Sequence, residues 1–332
     1  MVEFRELGRN TQTFVQPIGL GCMGMSEFYG EGNEQENLTV LNRAIELGCT
    51  FWDTADVYGL GENERLLSKV LKDNRDKIFL CTKFSGVRDE KTGEFLGING
   101  KPEYVREACE KSLKRLGVDT IDLYYQHRID KNTPIEETVK AMAELVKEGK
   151  VRYLGLSECS AETLRRAHKV HPISAIQMEY SPWSLDIESN GVLTAARELG
   201  VSIVCYSPLG RAMFTDDAKP STEFESNDFR RYVSRFEGEH FDKNKVLVNK
   251  IKGLAAKKGV PLSEYVLAWI LAQGPEFIII PGTKRIKYLE SNFKAGEIKL
   301  TTEEVAEMRS LLQDNQFSGP RYDGVQATYL DE

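Results

Sequence analysis

Eight short apolar runs, each ending in a polar or glycine-rich stretch, recur from one end of this chain to the other, and they constrain its fold more than any other feature. They are PIGLG (17 to 21), TFWD (50 to 53), KIFLCTKF (77 to 84), TIDLYYQH (120 to 127), VRYLGLSE (151 to 158), ISAIQMEY (173 to 180), VSIVCYS (201 to 207) and FIIIPGT (277 to 283). Their residues are mostly β-branched, aromatic or leucine, without strict polar alternation. That is the pattern of strands in a parallel sheet covered on both faces. Helical periodicity fills most of the gaps. Leu38, Leu41 and Ile45 share one helix face, Val105, Cys109 and Leu116 another, and Ile135, Val139, Met142 and Val146 a third. Pro102 and Pro134 stand where a helix start tolerates a missing N–H.

Eight strands alternating with helices predict an α/β fold, the (β/α)8 TIM barrel, whose usual size is about 250 residues. The 332 residues here leave room for extras. We expect a single domain over 1 to 332 with an N-terminal extension. A long loop is expected at 207 to 245, after the seventh strand, where no period is sustained. Thr301 to Leu312 reads as an added C-terminal helix, with Thr301 and Glu304 placed for a capping box. Residues 317 to 332 read as an irregular arm.

Composition narrows the function. Hydrophobic residues make up 41% of the chain, enough for a sizeable core, and no apolar run approaches the ~20 residues that span a bilayer. A net charge of -7 speaks against a nucleic-acid partner. The six cysteines, at 22, 49, 81, 109, 159 and 205, form no CxxC pairs, and the opening MVEFRELGRN has no apolar signal core. Reduced, buried thiols in a cytoplasmic protein are the expectation.

Gly19, Gly21 and Gly24 form GxGxxG after an apolar run, and Asp53 ends the next one, as in a dinucleotide fingerprint. The context argues otherwise. MSEFYGEGNE follows, with two more glycines before helical periodicity begins near Gln35, whereas the fingerprint places its third glycine inside a helix start.

Asp53, Tyr58, Lys83 and His127 stand at or just past the ends of the second, third and fourth runs. Each has an ordinary reading: a turn residue, a packed aromatic, a solvated lysine, a core histidine. Jointly they point to catalysis, because strand ends converge at the C-terminal mouth of a barrel, the face that carries the chemistry. Lys83 beside Tyr58 is expected to favour the phenolate and bring its pKa from about 10 toward neutrality, with Asp53 keeping the lysine charged. His127 can hydrogen-bond a carbonyl oxygen.

In order and spacing, FWDTADVYG, CTKF and YYQHR resemble the catalytic tetrad of the aldo-keto reductases, and LGLSE, IQMEYS, YSPLGR and IPGTKRIKYLESN extend the resemblance to the last four strands. The strings YYQHR, LSEC, HPISAIQMEYSPW and IPGTKR are most similar to the fungal and plant NADP-dependent branch that includes perakine reductase. The resemblance implies reversible hydride transfer between NADP(H) and an aldehyde or ketone. Tyr58 would be the proton donor, assisted by Lys83, Asp53 and His127, and no metal would be required.

It also implies the cofactor contacts. Gly21, Met23, Glu158 and Ile280 would be cofactor-binding residues, Ser157 and Gln177 would hydrogen-bond the nicotinamide carboxamide, and Tyr206 would stack on its ring. Ser207, Pro208, Leu209, Gly210 and Arg211 would wrap the pyrophosphate. Gly282, Thr283, Lys284 and Arg285 would hold the adenosine 2′-phosphate, with Glu290 and Asn292 near the adenine. Lys284 and Arg285 at a helix start suit a dianion better than a ribose diol, which favours NADP over NAD. Glu158 and Tyr288 depart from the commoner family pattern of asparagine and of arginine or glutamine.

Met25, Phe84, Arg128 and Trp183 are candidates for the substrate pocket, Arg128 meeting either an acidic substituent or Asp130. Two other readings stand beside the reductase. Lys83 could be a Schiff-base lysine of an aldolase, which leaves Tyr58, Tyr206 and IPGTKR without a role. The chain could also be a nucleotide-binding regulatory subunit resembling the potassium-channel β subunits, with little turnover.

Overall fold

A computed structural model describes residues 3–30 and 32–331. One parallel sheet holds eight strands in chain order: Leu20–Gly21, Phe51–Asp53, Phe79–Phe84, Ile121–Gln126, Val151–Ser157, Ile173–Glu179, Ser202–Tyr206 and Phe277–Ile279. The first returns to the eighth. Ile18 and Gly21 bridge Ile279 and Gly282, and the N–H of Gly19 donates to the Ile279 carbonyl at 2.8 Å. The N–H of Ile279 donates in turn to the Pro17 carbonyl at 2.8 Å, so the curled sheet meets itself as the (β/α)8 barrel expected from the eight runs.

Helices wrap the outside: α1 (Glu34–Leu47), α2 (Glu62–Asn74), α3 (Pro102–Leu116), α4 (Ile135–Lys147), α5 (Ala161–Val170) and α6 (Val192–Leu199) each follow one strand. Their ends are set by local chemistry. The Asn33 side chain accepts from the Glu36 N–H to cap α1, Pro102 is the first residue of α3, and Pro134 stands just before α4. Two helices, α7 (Gly238–Lys258) and α8 (Leu262–Leu271), follow the seventh strand, and α9 (Ile286–Lys294) follows the eighth. The added helix α10 (Thr302–Gln313) carries the capping box of Thr301 and Glu304.

Barrel strands are buried on both faces, and alternate residues divide between two cores. Val40, Leu41, Leu67, Val105, Val139 and Met142 join the cluster between sheet and helices. Phe51, Cys81, Leu123, Tyr125, Ala175, Val204 and Ile278 fill the barrel interior. An N-terminal hairpin, Arg5–Glu6 with Phe14–Val15, closes the floor, and buried Leu7 and Val15 belong to the interior cluster. All six cysteines are buried free thiols. No helix among the described residues is long and apolar enough to cross a membrane.

Two details differ from expectation. The loop expected over 207 to 245 ends at Glu237, because α7 already begins at Gly238 and buries Phe241 and Asn244 in its first turns. The charges between those two residues hide the period in the sequence. A second hairpin, Gly86–Arg88 with Phe95–Ile98, rises after the third strand and has no counterpart in the sequence reading.

Gly155 marks how tightly the interior is filled, since a Cβ there would lie 2.4 Å from the Tyr125 ring. Gly155→Ala is therefore expected to cost about 1–3 kcal/mol by overpacking, read as a lower urea midpoint with unchanged slope. An unchanged midpoint would mean that the interior has slack at this layer.

Candidate active site

Strand alternation decides what reaches the mouth. Two residues beyond the interior layer of Phe51, Cys81, Tyr125, Gly155, Ala175, Val204 and Ile278 stand Asp53, Lys83, His127, Ser157, Gln177, Tyr206 and Ile280. A two-residue repeat with in-register parallel pairing thus delivers seven expected residues to one rim. Tyr58 joins them from a 3-10 turn, Tyr58–Gly61, beyond the second strand.

The Lys83 side chain is fully buried, and its Nζ donates to Asp53 Oδ1 at 2.6 Å, to the Thr54 carbonyl at 2.9 Å and to the Tyr58 hydroxyl at 3.1 Å. Three acceptors therefore meet its three protons. Asp53 Oδ2 accepts from Gln177 Nε2 at 2.7 Å, across the mouth from the sixth strand. His127 faces Tyr58 edge to face, with ring centroids 5.8 Å apart. The four tetrad candidates lie together, and Gln177 is bound to them.

Electrostatics departs from the expectation for Tyr58. Burial raises its pKa above the usual phenol value, and the opposing Lys83 charge does not reverse the shift. The phenol thus stays protonated around neutral pH instead of approaching the phenolate. Burial works against the Lys83 ammonium, but the Asp53 carboxylate and then Tyr58 outweigh it and hold the lysine charged. His127 is pushed well below the ordinary imidazole value by burial, then by Lys83 and Arg128, so its ring is neutral.

The remaining rim residues divide into those left facing the mouth and those already engaged. Ser157 is buried beside Arg128, whose Nη1 reaches its hydroxyl at 3.5 Å. The Tyr206 hydroxyl donates to Glu158 at 2.8 Å, so the acid that stands in place of the commoner asparagine is engaged by that tyrosine. Beyond Tyr206, the loop turns through left-handed conformations at Ser207, Gly210, Arg211 and Ala212 (φ 49°, 56°, 55° and 77°). The Arg211 side chain is taken by a buried ion pair with Glu179 at 3.1 Å and is not left for a pyrophosphate. Thr283, Lys284 and Arg285 lead into α9, where Arg285 is the N-cap residue and Lys284 Nζ donates to the Tyr29 carbonyl at 2.8 Å. On the same helix Asn292 is buried, and Glu290 pairs with Arg43 of α1 at 2.8 Å, which ties up the carboxylate expected near an adenine. Gly21 closes against the eighth strand, where a Cβ would lie 2.7 Å from the Ile280 carbonyl, and half-buried Met23 opens the turn that follows.

Three of the four substrate candidates are corrected. Phe84 alternates outward from Lys83, is fully buried and stacks on Tyr124 at 4.9 Å between sheet and helices. The two-residue repeat of its strand already carried that information. Met25 is buried in the same outer core. Trp183 packs among Phe214, Phe236 and Phe317, with the Arg235 guanidinium 4.9 Å from its ring. Arg128 alone of the four remains at the mouth, donating to the His127 carbonyl at 2.8 Å. Its expected alternative partner, Asp130, instead accepts from the Gly100 and Asn132 N–H groups and the Thr133 hydroxyl. The sequence reading missed Arg321 and Tyr322 of the C-terminal arm, which reach Glu158 and Tyr206, because no local pattern reports a contact over 163 residues.

Removing one member of the buried Lys83–Asp53 pair strands the other. Lys83→Met is expected to lose about 3–5 kcal/mol of unfolding free energy at neutral pH, and adding Asp53→Asn is expected to restore much of it. Additive losses in urea titrations would show that the two charges are not coupled.

Residues 17–313 match the model of the Aldo/keto reductase family. The chain is 52% identical over 330 residues to the aldo-keto reductase str7 of Strobilurus tenacellus, covering 96% of each. It is 47% identical over 322 residues to a Schizosaccharomyces pombe protein named aldo-keto reductase yakc, NADP(+), covering 96% of this chain and 94% of that one. Among solved structures, a glycerol dehydrogenase from Gluconobacter oxydans superposes with a TM-score of 0.85 at 25% identity, covering 97% of this chain and 98% of its own. A closed eight-stranded barrel and a match that runs from its first strand to its last helix place this chain in the aldo/keto reductase family.

Proposed function

We propose that this protein is an NADPH-dependent reductase of aldehydes or ketones, working reversibly, with Tyr58 as the proton donor. The observation that carries the reading is Lys83 Nζ held between Asp53 at 2.6 Å and the Tyr58 hydroxyl at 3.1 Å, inside a barrel mouth that His127 shares. A Schiff-base lysine would have to be uncharged to attack a carbonyl, and this one is kept protonated by its carboxylate.

The donor set fits the cofactor. Tyr206 offers a flat face at the end of the seventh strand, and the following loop presents backbone through its left-handed residues. Lys284 and Arg285 stand at the start of α9, where an anion is favoured by both the side-chain charge and the helix N-terminus. Because Arg211 is committed to Glu179, the pyrophosphate would be held by backbone groups of residues 207 to 210. The NADP(+) in the yakc name agrees with this assignment.

Bound NADPH would supply the hydride that reaches the carbonyl carbon. Tyr58 Oη holds the proton that the carbonyl oxygen receives. The Lys83 ammonium stabilises the phenolate left behind, and Asp53, fixed by Gln177 on its other oxygen, keeps that ammonium charged and aimed. The neutral ring of His127 can donate a hydrogen bond that orients the carbonyl without competing for the proton.

Turnover of NADPH against a panel of aldehydes and ketones tests the reading directly. Tyr58→Phe is expected to lower kcat by about 10²-fold or more while NADPH still binds. Full activity of the Phe variant would remove Tyr58 from the role. Wild-type binding with no turnover on any carbonyl would favour a regulatory nucleotide-binding subunit.

The pH profile is a second test. Tyr58 is shifted up from about 10 and His127 down from about 6.5, so neither titrates in between. The reductive kcat is expected to be flat from about pH 6.5 to 9 where chemistry limits the rate. A midpoint near pH 7 would mean that one of these groups titrates in the working range.

A further inference from the structure

Glu158 follows the fifth strand in a left-handed conformation, φ 49°, with its residue only 2% exposed. Its carboxylate accepts four hydrogen bonds: from Arg321 Nη1 at 3.0 Å and Nη2 at 2.8 Å, from the Tyr206 hydroxyl at 2.8 Å and from the Glu179 N–H at 3.0 Å. The Tyr206 hydroxyl also meets the Tyr322 hydroxyl at 2.6 Å. Arg211 lies 4.8 Å from the Tyr322 ring, donates to the Arg321 carbonyl at 3.2 Å and pairs with Glu179. Two carboxylates and two guanidinium groups are thus linked into one buried network that ties the ends of the fifth, sixth and seventh strands to the C-terminal arm.

We propose that Arg321 and Tyr322 are positioning residues of the cofactor site, acting through Glu158 to fix the ring plane of Tyr206. The proposal rests on the reading of Tyr206 as the face that receives the nicotinamide. A tyrosine ring has two side-chain torsions, and tethering its hydroxyl to two neighbours sets both. An acid at 158 needs a cation once it is buried, and the bidentate Arg321 supplies one with the planar geometry that a carboxylate matches. Arg321 and Arg128 more than offset the effect of burial and keep Glu158 ionised. The arm is in this view part of the site and not a passive cover. It is pinned elsewhere as well, by Asp331 to the Ser160 N–H, by Asp323 to Ser234 and by the Thr328 carbonyl to Lys131.

The test uses the full chain and NADPH itself. Its variants are Arg321→Met, Arg321→Lys, Tyr322→Phe, the double variant Glu158→Gln/Arg321→Met, and Lys131→Met as a tether remote from Glu158. Titration by nicotinamide fluorescence is expected to show about tenfold weaker NADPH binding and an altered emission for Arg321→Met, a smaller loss of about threefold for Tyr322→Phe, and wild-type affinity for Lys131→Met. Arg321→Lys and the double variant are expected to recover part of the affinity, because neither leaves a bare carboxylate. Should Arg321→Met fail to fold, Tyr322→Phe and the double variant carry the same comparison. NADPH affinity and emission unchanged in Tyr322→Phe and the double variant would overturn the proposal while leaving the reductase reading intact. An affinity loss in Arg321→Met that only follows its loss of thermal midpoint, with the emission of bound NADPH unchanged, would do the same, by reducing Arg321 to a stabilising role. A wild type that binds no NADPH would overturn the reductase reading first and this proposal with it.

Discussion

A lysine ammonium with no exposed surface is the constraint around which this barrel mouth is organised. Stripped of water, Lys83 needs a counter-charge and acceptors for all of its protons, and it finds them in Asp53, Thr54 and Tyr58. Each partner comes from the end of the second strand or the turn beyond it, so the fold must hold strands two and three in register for the charge to be tolerated. The pairs Phe51–Phe79, Trp52–Leu80 and Asp53–Cys81 supply this register. Gln177 then fixes the second oxygen of Asp53 from the far side of the barrel.

This arrangement has a chemical consequence that differs from simple activation of a phenol. Burial outweighs the nearby ammonium, so Tyr58 remains a phenol. In the proposed reaction the lysine matters after the proton has left, when a negative oxygen would stand 3.1 Å from Nζ. Stabilising a charge that exists only late in the reaction is what a preorganised site does best, since no solvent must rearrange at that moment. The same low-dielectric setting keeps His127 neutral, which suits a hydrogen-bond donor that must not compete for the proton.

A second buried charge group lies on the opposite side of the mouth. Glu158 and Glu179 are matched by Arg321 and Arg211, and Tyr206 and Tyr322 join hydroxyls between them. The two networks divide the rim: in the proposed reaction, the proton-bearing groups stand on strands two to four and the face for a flat ring on strands five to seven. The aromatic cluster of Trp183, Phe214, Phe236 and Phe317 anchors the long loop and the arm behind the second network. That explains why residues that look like pocket lining in the sequence are instead packing.

Much of this was legible in the chain itself. Eight apolar runs, helix starts at Pro102, Pro134 and Thr301, and polar residues at run ends are local signals, because strand and helix periods and caps depend on near neighbours. The placement of Asp53, Lys83 and His127 at one mouth followed from strand number alone. What only the tertiary structure decided was pairing at long range. Phe84 faces the helices, Gln177 serves Asp53 over 124 residues, and Glu158 is claimed by Arg321 over 163. The first of these was implicit in the two-residue repeat. The others were not, because a buried charge takes whichever partner the closed barrel brings within about 3 Å, and no periodicity in the sequence records that choice.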